Sequence, residues 1–228
     1  MKILSVNVGR PRDVTVDGHE VRTSIWKSPV HGRVRVSGHN VEGDQQSDLT
    51  VHGGLNKAVY AYPYEHYAFW RREFPLMELT MGNFGENLTT EGLLESDARI
   101  GDVFRIGSVE LEVMQPRLPC YKLGIRFDRA DMVKRFMRAA RSGIYFAIVR
   151  EGELGEGSPI ERISRADHDV TIDDLAHLFT DRRDDEDLLR RAAGVTSLPN
   201  FWRVDIEKRL SALSFQQKSR NLTLKADS

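Results

Sequence analysis

The feature that most constrains this chain is a series of short alternating runs across its first two-thirds, most of them closed by glycine or proline. "ILSVNVG" stops at Gly9, "GRVRVSG" alternates at Val34 and Val36, and "KAVYAYP" stops at Pro63. "DVFRIGSVELEV" is two alternating runs around Gly107-Ser108, the pattern of a hairpin. "EVRTSIWKSPV", "GIYFAIVREG" and "PIERISR" add further strand-like runs. Many short strands separated by glycine turns predict a mainly β fold, a closed or nearly closed β-barrel with a few helices.

Two helices are expected within this region. "YEHYAFWRREF" places Tyr67, Trp70 and Phe74 at helical spacing. "ADMVKRFMRAARSG" puts Met132, Val133, Phe136, Met137 and Ala140 on one face, with Gly143 as its C′ residue. The pattern changes after about residue 167. "DVTIDDLAHLF" offers Thr171 and Asp174 as a weak capping box. "DDEDLLRRAAG" has acids first and arginines last, which suits the helix dipole, and ends at Gly194. "SLPNFWRVDIEKRL" has Ser197 as N-cap candidate and Pro199 near the first turn. The expected organisation is a β-barrel domain over 1–167 and a small three-helix domain over 168–213 that leans on it. The polar stretch 214–228 is expected to be a disordered tail.

Charge is balanced, with 33 Lys+Arg against 34 Asp+Glu and a formal net charge of −1, which argues against a chain that coats nucleic acid or an anionic membrane. Its helix–turn–helix-like stretch "LLRRAAGVTSLPNFWRVDI" follows an acidic run, so a DNA-binding module is a minor reading. No apolar run approaches the roughly 18 residues needed to span a bilayer. "MKILSVNVGRPRD" lacks the apolar core of a signal peptide, so a cytoplasmic protein is expected, with no membrane partner.

Four stretches carry possible chemistry. "MQPRLPCYKLGIRF" holds Cys120, the single cysteine, among Arg117, Lys122 and Arg126. With no partner cysteine, a disulfide or a zinc cluster is excluded. Pro116 and Pro119 restrict the segment to a fixed loop. The thiol is either a small buried hydrophobe or a thiolate favoured by nearby cations, acting as nucleophile or soft metal ligand. "DLTVHGGLNKAVYAYP" sets His52 before Gly53-Gly54 and Lys57 just beyond, either a tight turn or an N–H-rich loop suited to an anion. "GNFGENLTTEG" carries Asn87, at a hairpin turn or facing a polar heterocycle. "RTSIWKSPVHGRV" supplies Arg22, Lys27 and Arg33, on solvated strand faces or in a pocket. "GELGEGS" is read as a turn between strands, since its glutamates would repel phosphate.

In this order "DLTVHGGLNKAVYAYP", "FGENLTTEG" and "QPRLPCYKL" resemble the MOSC-domain family in its YiiM-like branch. MOSC denotes the C-terminal domain of molybdenum cofactor sulfurase. The resemblance covers nearly the whole chain, including the segment similar to that branch's three-helix domain. It implies a β-barrel that binds a molybdenum pyranopterin cofactor, without implying pyridoxal phosphate. Cys120 falls on the family's molybdenum ligand. Cofactor contacts fall on Asn87, on Asn56 and Lys57, and on Lys27 and Ser28, with His52 and Arg117 as further pocket residues. The implied activity is reduction of N-hydroxylated compounds: purine bases, hydroxylamines or amidoximes. His52 is the expected proton donor, because an imidazole titrates near neutral pH. No flavin, haem or iron–sulfur motif is evident, so a separate electron-transfer protein is expected. The alternative is a sulfur carrier or sulfurtransferase working through a Cys120 persulfide.

Overall fold

The computed structural model describes residues 1–47 and 53–226, with side chains of the last helix described through 215. Its strands are β1 (Lys2–Val8), β2 (Arg12–Val16), β3 (His19–Thr23), β4 (Ser28–Val30), β5 (Arg33–Ser37), β6 (Asn40–Val41) and β7 (Val59–Pro63). They continue as β8 (Leu88–Glu91), β9 (Val103–Ile106), β10 (Val109–Pro116), β11 (Ile144–Arg150), β12 (Gly152–Gly155) and β13 (Ile160–Ser164). The helices are α1 (Glu65–Glu73), α2 (Tyr121–Phe127), α3 (Met132–Ala139), α4 (Ile172–His177), α5 (Glu186–Ala193) and α6 (Asn200–Ala226).

The expected barrel is corrected by the strand order. Eight strands form one open sheet, β13-β9-β10-β11-β7-β8-β1-β4. All its pairs are antiparallel except β7 with β8. Closure would need a ladder between β13 and the other end. The outer edge of β1 carries β4 at Val6–Val8, so only its first residues reach the turn before β13. There a single bridge forms, Lys2 with Pro159, flanked by Ile3 N to Ser158 O and Ile160 N to Met1 O, both at 3.0 Å, and it does not grow into a ladder. The remaining strands pair separately, β12-β5-β6 as a three-stranded sheet and β2-β3 as a hairpin. Alternation and glycine turns specify strands, but closure depends on the summed register around the sheet, which no single run encodes.

The hairpin at Gly107-Ser108 forms as expected, joining β9 to β10. Gly107 has φ 63°, and a Cβ there would meet the Glu153 carbonyl at 2.3 Å, so the turn admits no side chain. Helix α3 ends earlier than its sequence suggests. Ala140 takes the left-handed conformation (φ 49°), while Gly143 (φ 68°) instead starts the approach to β11. In "GELGEGS" the first four residues are strand β12, paired to β5, and the turn follows them.

Apolar burial gathers in two clusters. One joins Phe104, Leu111, Val113 and Phe146 of the sheet to Leu175, Leu188, Leu189 and Trp202 of α4–α6. The other is aromatic: Tyr62, Tyr67, Trp70, Phe84, Phe127 and Phe136. Helix α6 continues into the stretch expected as a tail. Among the described residues no helix is long and apolar enough to cross a membrane.

Candidate functional site

The site begins where β10 ends. A register shift between Val113 and Gln115 twists the strand before it passes into Arg117 and Cys120. Cys120 is extended (φ −110°, ψ 172°) and is the N-cap of α2, with its carbonyl accepting from Leu123 N at 3.0 Å. It is a free, half-buried thiol in the wall of a cleft of about 610 Å³, counting space open to solvent.

Five of the expected cofactor and metal contacts line this cleft together: Lys27, Lys57, Asn87, Arg117 and Cys120. They come from the lead into β4, the 3-10 turn Leu55–Lys57, the loop before β8, and the β10–α2 connection. Ser28 is exposed on β4 and is not in the wall, and Asn56 sits beside Lys57 with its carbonyl turned to Gln115 Nε2 at 3.2 Å. His52 lies outside the described residues.

The polar groups of the cleft are unequally committed. Lys27 Nζ pairs with Asp44 Oδ2 at 2.6 Å, and the same oxygen accepts from Asn87 Nδ2 at 2.9 Å. Asp44 Oδ1 takes the Gly9 N–H at 2.8 Å. Asn87 Oδ1 accepts from Tyr60 N at 3.2 Å, so its amide bonds within the wall on both sides. Burial holds the Lys27 ammonium below the usual lysine range, against the opposing pull of Asp44. Burial likewise lowers Lys57.

Arg117 is buried and donates to the Phe84 carbonyl. Its guanidinium lies 4.9 Å from the centre of the Tyr60 ring, which lies tilted against Tyr145 with ring centres 4.8 Å apart. Burial raises both tyrosines, keeping them as neutral phenols. The loop carrying Phe84 is set by Glu86, whose carboxylate accepts from Gly82 N at 2.8 Å, Phe84 N at 3.0 Å, Thr89 Oγ1 at 2.9 Å and the Tyr67 hydroxyl. Lys122, the second residue of α2, reaches Ser47 Oγ at 3.3 Å.

The donor set fits a cofactor that brings its own metal donors. Asp44 is the carboxylate among the described lining residues and already holds Lys27, while Arg117 donates to the Phe84 carbonyl and Lys122 to the Ser47 hydroxyl, both neutral oxygens. The result is one soft thiol beside cations suited to a phosphate. Among the described residues no group of three or more His, Cys, Asp or Glu is placed to hold a metal ion. A lone thiol can add one bond to a metal otherwise ligated by its cofactor, but cannot build a closed protein cage.

The MOSC domain model matches residues 48–161, half of the chain and the part that carries β7 to β12 and Cys120. The chain belongs to the MOSC-domain family. The YflK protein of Bacillus subtilis is 36% identical over 211 residues, covering 92% of this chain and 95% of that one. The crystal structure of YiiM from Geobacillus stearothermophilus is 32% identical with a TM-score of 0.76, covering 92% of this chain and 98% of that one. A protein from Gibberella moniliformis named "Reductase" is 34% identical over 166 residues, which are 72% of this chain and 29% of that one.

Sequence reading missed several members of the cleft. Asp44 sits in "GDQQSD", a polar stretch with no distinguishing period, and only folding brings it to Lys27 and Asn87. Tyr60 and Tyr145 read as ordinary strand aromatics, yet neighbouring strands β7 and β11 place them side by side at the cleft. Helix α2 was also hidden, because Gly124 interrupts its short pattern and Cys120 is not a usual N-cap.

Proposed function

We propose that this MOSC protein is a molybdenum-cofactor-dependent reductase of N-hydroxylated compounds. The observation that carries the reading is the half-buried Cys120 thiol in a cleft shared with Arg117, Lys57 and Lys122. The similarity to a protein named a reductase supports the same class.

In this reading the cofactor supplies the two-electron chemistry when bound. Cys120 contributes its thiolate to the metal, and Arg117 with Lys122 holds the phosphate. Tyr60 and Tyr145 wall one side and limit water. Asn87 and Asp44 hold Lys27 in place. The N-hydroxyl group of the substrate takes up two electrons and two protons. Its N–O bond breaks, the nitrogen keeps one proton as N–H, and the oxygen leaves as water. A separate electron-transfer protein supplies the electrons, and His52 is the proposed proton donor.

The test is metal and pterin analysis of protein from a host that makes the cofactor. Wild type is expected to carry molybdenum and pterin together, and Cys120→Ala to lose molybdenum to background. Equal molybdenum in the two proteins, or none in wild type, would falsify the proposal. The same thiol sustains a second reading, sulfur transfer through a persulfide. Mass spectrometry after incubation with a cysteine desulfurase separates the two, since only the second expects an adduct of about 32 Da, one sulfur atom, on Cys120.

A further inference from the structure

We propose that Gln115 is a positioning residue that ties the cleft's glycine loop to helix α6. The inference rests on reading the cleft as an anion-binding site. Gln115 is buried near the end of β10, two residues before Arg117 and opposite Tyr145 in the β10–β11 ladder. Its side chain makes two bonds to distant parts of the chain. Trp202 Nε1 donates to Gln115 Oε1 at 2.8 Å, and Gln115 Nε2 donates to the Asn56 carbonyl at 3.2 Å.

The chemistry of the partners fixes the amide's orientation. An indole N–H only donates and a backbone carbonyl only accepts, so one rotation of the amide satisfies both and the flipped one satisfies neither. Each partner is itself seated. Trp202 is fully buried in the core shared by the sheet and α4–α6, with Phe179 edge-on at 4.7 Å. Asn56 is the middle residue of the 3-10 turn, whose Lys57 N bonds back to Gly54 O at 3.1 Å. Gly53 and Lys57, at the two ends of this loop, line the cleft. The seat of α6 therefore sets the height of the loop that presents Lys57. This gives the C-terminal helices a part in the cleft without contributing a lining residue to it.

Trp202→Phe keeps the buried ring and deletes its N–H. Ile206→Val, at a buried position of the same helix, is the comparator for a merely structural loss. Native-state hydrogen exchange is read at residues 53–57. Trp202→Phe is expected to speed exchange there by on the order of tenfold, the scale of one lost buried hydrogen bond, while Ile206→Val leaves it as in wild type. Gln115→Met, which leaves the indole in place, is expected to give the same pattern. A second readout is a double-mutant cycle on the affinity for inorganic pyrophosphate. Gln115→Met is expected to weaken binding about threefold in wild type and to add nothing in a Lys57→Ala background. Unchanged protection in both variants, equal loss in Ile206→Val, no pyrophosphate binding by wild type, or additive losses overturns the proposal. Neither readout uses molybdenum or turnover, so the failure of the reductase reading would show separately.

Discussion

At the scale of single residues, Glu86 shows how a buried charge group can organise a cleft it does not line. Its carboxylate gathers the backbone N–H groups of Gly82 and Phe84 and the hydroxyls of Tyr67 and Thr89, and so fixes the loop whose Phe84 carbonyl receives Arg117. Glu86→Gln keeps one acceptor oxygen but turns an NH2 towards the Phe84 N–H. The loss is expected to be about 2 kcal/mol in urea unfolding, the cost of a buried donor left unmet. Burial holds the Glu86 carboxyl above its ordinary value of 4.5. The folded state then binds its proton more readily than the unfolded chain. That contribution is fully present below 4.5 and is lost as pH rises through the folded value. Because glutamine does not titrate, the stability gap between wild type and Glu86→Gln is expected to widen as pH falls towards 4.5. Parallel urea curves at several pH values check this, and a gap that narrows would reverse the sign.

At the scale of elements, helix signals and strand signals were not equally legible. Thr171 and Asp174 form a complete capping box: Thr171 Oγ1 accepts from Asp174 N at 3.1 Å, and Asp174 Oδ2 accepts from Thr171 N at 3.1 Å. A cap is local, so four residues of sequence contain it. Thr171→Ala is expected to cost about 1 kcal/mol, read as a lower thermal midpoint. Helix α2 gave no such signal, and α3 ended at Ala140 rather than Gly143. In both cases a tertiary seat overrides propensity. Gly143 is needed elsewhere, because a Cβ there would meet the Ala61 carbonyl at 2.6 Å and the Tyr60 hydroxyl at 2.7 Å.

At the scale of the whole molecule, the C-terminal helices and the sheet share one apolar cluster. Leu175, Leu188, Leu189 and Trp202 pack in the same cluster as Phe104 and Leu111. We expect a chain ending at residue 167 to lose its cooperative thermal transition, because each large buried side chain removed costs about 2–5 kcal/mol. A circular dichroism melt checks this, and a sharp unchanged transition would show that the sheet stands without the helices. Openness of the sheet belongs to the same scale. It follows from β4 occupying the edge of β1, which leaves only the isolated Lys2–Pro159 bridge between β1 and the turn before β13.

Sequence alone determined what is local in this protein. Alternation marked most strands, the capping box marked α4, and proline and glycine marked the turns, because each depends on contacts within a few residues. It also singled out Cys120, Arg117, Lys57, Lys27 and Asn87, through unusual composition and a family resemblance. Tertiary structure alone decided that these five share a cleft, that Asp44 takes up Lys27, and that the sheet stays open. Those outcomes depend on register and on pairs such as Asn87–Asp44 and Gln115–Trp202, separated by 43 and 87 residues. No local pattern encodes such pairs, because each is selected by the packing of the elements between them.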